Sequence, residues 1–117
     1  MNLWYNTCWR YRTKLRAQDC IKCICCLPQS FGANPFNPHY YDCELISDSK
    51  LKLIFKGTRF GKLLRTEYIA SFHEAEDHCL IEMQFQRELF GLPAMTSTYQ
   101  LDMFFEEKVQ AHRDNSF

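Results

Sequence analysis

The segment SFHEAEDHCLIEMQFQRELFGLP, which runs from Ser71 to Pro93, decides the fold because it can form either a helix or a strand. A helix is favoured by the residues at its ends. Ser71 and Glu74 have the spacing of a capping box, in which each side chain accepts a hydrogen bond from the backbone of the first turn. Gly91 stands where a left-handed residue often ends a helix. The segment is therefore predicted to be a helix that packs on a sheet.

The same segment also has the alternation that is typical of a strand. Two sets of residues take alternate positions: Cys79, Ile81, Met83 and Phe85 form one set, and Leu80, Glu82, Gln84 and Gln86 form the other. Because successive side chains of a strand point to opposite faces, this pattern suits a strand with one buried face. A strand from His78 to Glu88 therefore remains the alternative.

Alternating patterns earlier in the chain predict several strands. The first runs from Tyr5 to Leu15, with aromatic residues and threonines on one face and mostly basic residues on the other. Residues 40–47 and 51–56 form the next two strands, and the short polar turn between them suits a hairpin. A further strand covers about residues 63–72. The proline-rich segment 28–39 is predicted to be a loop, because each proline fixes its own backbone.

The last predicted element is a helix that starts at Ser97 or Thr98 and ends at about His112. Its apolar face contains Leu101, Phe104, Phe105 and Val109. Together the elements predict one compact α+β domain over residues 1–117. Its architecture is an antiparallel sheet of four or five strands with one or two C-terminal helices packed on it.

The composition is that of a folded protein, with 46% hydrophobic and 24% charged residues among 117. The formal net charge of zero hides an asymmetry. Through Arg65 the chain has 11 basic and 4 acidic residues, a net +7, whereas the remainder has 3 basic and 10 acidic residues, a net −7. Such a split can provide a basic surface for phosphate or nucleic acid, or the two halves can neutralise each other within one fold.

The first residues contain no apolar stretch followed by a cleavage site, so a secretory signal is not expected. No segment approaches the roughly 18 consecutive apolar residues of a membrane-spanning helix, and no transmembrane segment is expected. A cytoplasmic location follows. In that reducing compartment the seven cysteines are expected to be thiols or metal ligands rather than disulfides.

The cluster CIKCICC, from Cys20 to Cys26, holds four of the seven cysteines. One hypothesis is a zinc site formed by Cys23, Cys26, His39 and Cys43, because the spacing C-x2-C-x12-H-x3-C lies within the range of tetrahedral zinc sites. Cys20 can replace Cys26 in an alternative set. The cluster can also be a buried apolar segment, since free cysteine is among the most buried residue types. Acylation of its thiols beside the basic N-terminal run is a third interpretation.

Two other motifs fall short of known signatures. HEAEDH, residues 73–78, places its histidines five positions apart, which is about 140° around a helix instead of on one face. GTRFGKL, residues 57–63, lacks the spacing of a phosphate-binding loop. Anion or nucleic-acid contact is still expected from basic residues near these glycines and on the first strand, namely Arg10, Arg12, Lys56, Arg59 and Lys62.

The pattern favours a small non-catalytic binding or interaction protein, because no catalytic signature is visible in the sequence. Its partner is expected to be another protein or a second copy in a homodimer, with the aromatic and basic N-terminal strand as the interface. The alternative is a zinc-stabilised binder of nucleic acid or phosphate that uses the cysteine cluster and the basic first half. An enzyme whose residues come together from distant positions is a further alternative.

Overall fold

The computed structural model describes residues 8–32, 36, 38–56, 65–88 and 98–114 of the chain. Within them lie seven strands and two helices. In chain order these are β1 (Cys8–Thr13), α1 (Ala17–Cys25), β2 (Ser30–Phe31), β3 (His39–Ser47), β4 (Lys50–Lys56), β5 (Arg65–Glu74), β6 (Cys79–Glu88), α2 (Thr98–Val109) and β7 (His112–Arg113).

The seven strands form one antiparallel sheet in the order β2-β3-β4-β5-β6-β1-β7, curled into a half-barrel. The prediction of a four- or five-stranded sheet with C-terminal helices packed on it was therefore wrong. The sheet is larger because β6 replaces a predicted helix, and because the two-residue strands β2 and β7 extend its two ends. One of the two helices, α1, also lies near the N-terminus, between β1 and β2.

The helix prediction for the segment that starts at Ser71 was wrong, and the strand alternative was right. β5 continues to Glu74, and the N–H of Ala75 donates to the carbonyl of His78 at 2.8 Å in the turn that leads into β6. Cys79, Ile81 and Met83 are fully buried. Burying these three apolar side chains contributes more free energy than the hydrogen bonds of a capping box contribute to a helix end. The alternation of the apolar residues therefore determines the structure of this segment.

The other strand predictions were confirmed where the structure describes them. The first strand spans Cys8–Thr13, and β3 and β4 form the predicted hairpin around residues 48 and 49. The C-terminal helix was confirmed too, with its end at Val109. All of the cysteine cluster except Cys26 lies in α1, and Cys26 is the residue that follows the helix. Ala17, Cys20 and Ile24 of α1 are buried at the spacing of one helix face. Neither described helix has the length or the apolar character needed to cross a bilayer.

The concave side of the sheet is filled with aromatic side chains that meet the apolar face of α2. The ring of Phe104 lies at the centre, with centroid distances of 4.9 Å to Tyr41, 5.1 Å to Phe55 and 5.2 Å to Phe31. Next to it, Phe105 stacks on Tyr11 with the centroids 4.4 Å apart. Aromatic pairs at these separations add to the stability that their buried area provides. The interior of the half-barrel is therefore a packed core.

Ion pairs join the basic first half of the chain to the acidic second half. They are Arg10 Nε to Glu82 Oε2 at 3.4 Å, Arg12 Nη2 to Asp114 Oδ2 at 3.2 Å, Arg16 Nε to Glu74 Oε2 at 3.1 Å and Lys52 Nζ to Glu67 Oε1 at 3.4 Å. The antiparallel pairing of β1 with β6 and of β4 with β5 brings together two of these four pairs, Arg10 with Glu82 and Lys52 with Glu67. The charge asymmetry of the sequence is therefore largely neutralised within the sheet at these positions.

Candidate functional site

A cleft of about 610 Å³ opens at the end of the sheet where β1 meets β7. Its walls come from three parts of the chain: residues 12–15 at the end of β1, residues 77–78 in the turn before β6, and residues 110–114 around β7. These segments are far apart in sequence. The antiparallel pairing of β1 with both β6 and β7 brings them together.

Basic side chains dominate the walls of this cleft. Arg12 and His112 are paired residues of β1 and β7, and Arg113 is paired with Tyr11 one position further along. Lys14 follows β1, and His78 ends the turn before β6. The cleft walls therefore contain two guanidinium groups, one ammonium group and two imidazoles.

Two acids on the cleft walls already have basic partners. Asp114 Oδ2 accepts a hydrogen bond from Arg12 Nη2 at 3.2 Å. Asp77 Oδ1 lies 2.7 Å from His78 Nδ1, and this hydrogen bond is the main reason why the pKa of Asp77 is lowered. Asp114 therefore faces Arg12, and Asp77 faces His78. The other basic side chains on the walls are those of Lys14, His112 and Arg113.

Arg113 forms an ion pair with a carboxylate on α2, that of Asp102. Its Nη2 lies 3.0 Å from Asp102 Oδ2, and the other oxygen of Asp102 accepts a hydrogen bond of 2.7 Å from the Tyr11 hydroxyl. Burial and this hydrogen bond raise the pKa of Tyr11 well above its ordinary range, so the phenol keeps its proton and remains a donor. The guanidinium of Arg113 is thereby fixed at the cleft while its side chain stays 43% exposed.

Two basic groups of the cleft are unpaired. Within the part of the chain that the structure describes, the side chains of Lys14 and His112 have neither an ion-pair partner nor a hydrogen-bond partner. Both side chains are exposed. An ammonium group presents three donors and an imidazole at least one, so these two residues offer hydrogen-bond donors to a ligand without losing an existing bond.

The backbone around the cleft is fixed by buried contacts. The hydroxyl of Thr13 donates a 2.6 Å hydrogen bond to the carbonyl of Val109, and it accepts one of 3.2 Å from the N–H of Leu15. At the end of α2, Gln110 takes a left-handed conformation with φ of 54°, which is uncommon for residues other than glycine. This turn directs the chain from α2 into β7. Both sides of the cleft are therefore anchored to the same helix end.

The basic residues predicted to contact anions lie in different places. Arg12 lies in the cleft, and Arg10 lies two positions before it on β1, outside the cleft walls and paired with Glu82. Lys56 lies on β4 and is paired with Asp42. The structure does not bring these three residues together. The remaining two predicted residues, Arg59 and Lys62, lie outside the described residues.

The structure does not assemble the predicted zinc ligands Cys23, Cys26, His39 and Cys43 into one cluster. Among the described residues no group of three or more His, Cys, Asp or Glu side chains lies close enough to hold a metal ion. Cys43 instead contacts Cys25, with the two sulfurs 2.8 Å apart, and the ring of His39 lies 5.2 Å from that of Phe31. The alternative ligand Cys20 is fully buried against Cys79. Zinc binding remains a prediction.

The residues of HEAEDH are divided between β5 and the turn that follows it. His73 Nε2 lies 3.7 Å from Glu82 Oε1 on the neighbouring strand, and His78 lies in the cleft.

Lys14, His112 and Arg113 were not predicted as possible ligand-binding residues, and His78 was considered only within HEAEDH. His112 and Arg113 stand in a strand of two residues, and no motif links residues 14 and 112. The only signal in the sequence was the basic character of the first strand. Comparisons of the chain with protein-family models, curated proteins and solved structures found no match. The chemistry of the cleft is therefore inferred from its own side chains.

Proposed function

We propose that this protein is a non-catalytic binding protein, and that its cleft holds a small anionic ligand bearing phosphate or carboxylate groups. The observation that carries this proposal is the pair of unpaired side chains, Lys14 and His112, which face a cleft beside Arg12 and Arg113. Among the described residues the ammonium group of Lys14 has no carboxylate partner, and a cation without a partner attracts anions. We place the protein in the cytoplasm, where phosphorylated and carboxylated small molecules are abundant and thiols stay reduced.

The two arginines of the cleft can bind an anion without giving up their present partners. A guanidinium has five N–H donors, and the ion pairs with Asp114 and Asp102 each involve one terminal nitrogen. The side chains of Arg12 and Arg113 are 53% and 43% exposed. Their remaining donors can therefore form charge-assisted hydrogen bonds to a planar carboxylate or to a phosphate.

The acids of the cleft favour a small ligand over a long polyanion. Asp77 and Asp114 line the same walls as the cations, and a nucleic-acid strand would bring its phosphates close to both of them. A ligand with one or two anionic groups can contact Lys14 and His112 and avoid the carboxylates.

The proposal is tested by isothermal titration calorimetry with inorganic phosphate and with citrate, at constant ionic strength set by chloride. One of the two anions is expected to bind with one-to-one stoichiometry, and the stronger of them indicates whether phosphate or carboxylate is recognised. Lys14→Glu is expected to weaken that binding by about tenfold or more, since a hydrogen bond to a charged group contributes roughly 1.5–3 kcal/mol.

The matched control is Lys50→Glu, which makes the same charge change at an exposed lysine of the β3–β4 hairpin, outside the cleft. It is expected to leave binding within about twofold of the unmodified protein. Equal weakening by the two substitutions would show that the anion senses only net charge. Tighter binding of a single-stranded oligonucleotide than of either small anion would favour a nucleic-acid ligand instead.

Self-association is a second candidate function, favoured by an exposed apolar sheet edge. On the side of β3 away from β4, the only described strand is β2. β2 pairs only with His39 and Tyr40 of β3. Further along β3, Leu45 is 60% and Ile46 50% exposed. The interface predicted on the N-terminal strand is less suitable, because β1 is flanked by β6 and β7. An open strand edge is a site for pairing with a second copy.

Sedimentation equilibrium tests this second candidate. A homodimer is expected in the unmodified protein, and Leu45→Lys with Ile46→Lys is expected to convert it to a monomer. A protein that sediments as a monomer at all concentrations would contradict self-association through this edge.

A further inference from the structure

Cysteine side chains on α1 form two pairs with cysteines of the sheet, and the two pairs differ in their exposure. Cys20 donates a hydrogen bond to Cys79, and both of these side chains are fully buried. Cys25, the last residue of α1, and Cys43, in the middle of β3, have their sulfurs 2.8 Å apart and are only partly buried. Only the second pair can be reached by a molecule from solution.

Hydrogen bonds assign different roles to the two sulfurs of the partly buried pair. The thiol of Cys43 donates to the sulfur of Cys25, and the side-chain amide of Gln29 donates to Cys43 at 3.0 Å. Cys43 therefore has two hydrogen-bond partners, whereas among the described residues the sulfur of Cys25 contacts only Cys43. The sulfur with fewer partners is the one more open to an external disulfide, and attack on that disulfide proceeds through the thiolate form. Cys25 is therefore the attacking sulfur and Cys43 the resolving one.

We propose that Cys25 and Cys43 are a reversible disulfide site, which is oxidised by small-molecule disulfides such as oxidised glutathione. The Cys25 thiolate attacks one sulfur of the small disulfide, whose S–S bond breaks and releases one thiolate. Cys43 then loses its proton and attacks the sulfur of Cys25, which releases the second small thiolate. Two protein thiols become one disulfide, and their two electrons and two protons leave on two molecules of the small thiol.

The fold permits this bond with little movement. A disulfide is about 2.05 Å long, so the sulfurs have to approach by less than about 1 Å. Cys25 is the terminal helical residue, and Cys26 after it already has extended backbone angles. The bond would join the end of α1 to β3 and close the chain between them, which includes β2. It lies outside the residues that line the cleft, so this inference is independent of the proposed ligand.

Peptide mapping tests the proposal with unusual clarity in this sequence. Trypsin cuts after Lys22 and Lys50 and finds no Lys or Arg between them, so one peptide carries Cys23, Cys25, Cys26 and Cys43. The test therefore uses the full chain with Cys23→Ser and Cys26→Ser. After incubation with oxidised glutathione and alkylation, this peptide is expected about 2 Da lighter than its reduced form and without alkyl groups. Excess reduced glutathione is expected to restore it.

Two further variants in that background assign the order of attack. With Cys43→Ser, glutathione is expected to stay attached to Cys25, because the resolving sulfur is missing. With Cys25→Ser, Cys43 is expected to remain an unmodified thiol. Circular dichroism confirms that each variant is folded before the assay.

Three outcomes would overturn the proposal. One is a peptide that stays alkylated at both cysteines after oxidation. Another is glutathione that accumulates on Cys25 while Cys43 is present. The third is earlier formation of a link between Cys20 and Cys79, which trypsin would release as a joined pair of peptides, residues 17–22 and 66–87.

Discussion

The two ends of the sheet are built alike but have different chemistry. Each ends in a strand of two residues, β2 at one end and β7 at the other. At the β7 end, basic side chains surround an open cleft. At the β2 end, aromatic rings pack under the strand and a pair of thiols lies beside it. The helix α2 contacts both ends of the sheet, because the ring of Phe104 packs against Phe31 and the carbonyl of Val109 accepts a hydrogen bond from Thr13.

This contrast shows why local clusters in the sequence are a poor guide to sites. The most conspicuous cluster, CIKCICC, is divided by the helix into buried, partly buried and exposed thiols. The basic cleft, in contrast, is assembled from residues almost a hundred positions apart. Short strands at the two ends of the sheet determine which side chains meet.

The largest expected effect comes from the core at the β2 end. Phe104→Ala removes the ring that Phe31, Tyr41 and Phe55 surround, and is expected to lower the free energy of unfolding by about 3–5 kcal/mol. Urea denaturation measures this change. Phe104→Leu is the control and is expected to cost less than half as much, because it leaves a smaller cavity. Equal losses for the two variants would mean that Phe104 does not fill the core as described.

At the β7 end, Thr13→Val keeps the shape of the side chain but removes its hydroxyl. The buried carbonyl of Val109 then loses its partner, and the free energy of unfolding is expected to fall by about 1–3 kcal/mol. Anion binding should weaken as well, since Thr13 holds β1 at the cleft. Thr13→Ser retains the hydroxyl and is expected to retain most of the stability. A valine variant as stable as the unmodified protein would show that this bond does not anchor the cleft.

Alkaline pH affects both ends of the sheet in the same direction. Burial raises the pKa of Cys20 and of Cys43 from 9.0 to about 12, and it also raises the pKa of Tyr11. Between the ordinary and the raised values, the unfolded chain has lost these protons and the folded chain has kept them, so unfolding becomes more favourable as pH rises. Stability is expected to be constant below about pH 8 and to fall progressively above about pH 9.

Urea midpoints measured from about pH 7 to about pH 11 check this expectation. The variant Tyr11→Phe should lose less stability over the same interval, because one of the titrating groups is absent. A midpoint that does not change up to about pH 11 would contradict the burial of these protonated groups.

The smallest expected effect is an increase in stability at the end of α2. Gln110 has a φ of 54°, a conformation that glycine adopts at no steric cost. Gln110→Gly is therefore expected to raise the free energy of unfolding by about 0.5–1 kcal/mol, or a few degrees in Tm. Gln110→Ala is the control and should give no gain, because alanine keeps the Cβ. A destabilised glycine variant would indicate that the Gln110 side chain contributes contacts of its own at the cleft.

Elements with a clear local period could be predicted from the sequence. The β3–β4 hairpin and α2 follow from alternating or helical patterns that tertiary packing reinforces. β6 was assigned to a helix because the residues at the ends of its segment were given more weight than the alternation of Cys79, Ile81 and Met83. α1 was missed because cysteine gives little helical signal, and its buried positions become recognisable only against the sheet.

The candidate site could hardly be predicted at all. Arg12 was singled out for its charge, but its neighbours His112 and Arg113 stand in a strand of two residues, which is too short to have a period. Their meeting depends on the turn at Gln110 and on the pairing of β7 with β1. The pair of Cys25 and Cys43 was not predicted from the sequence either. Cys25 was the one cysteine of the cluster that neither predicted set of zinc ligands included.

An anion site in the cleft is tested most directly by NMR titration of the isotopically labelled protein with inorganic phosphate or citrate. We expect saturating shifts of backbone amides at residues 12–15, 77–78 and 110–114, with Lys14 and His112 among the most affected. Residues of β3 and of the thiol pair should shift little. Shifts that do not saturate, or that saturate only at the β2 end of the sheet, would contradict an anion site between β1 and β7.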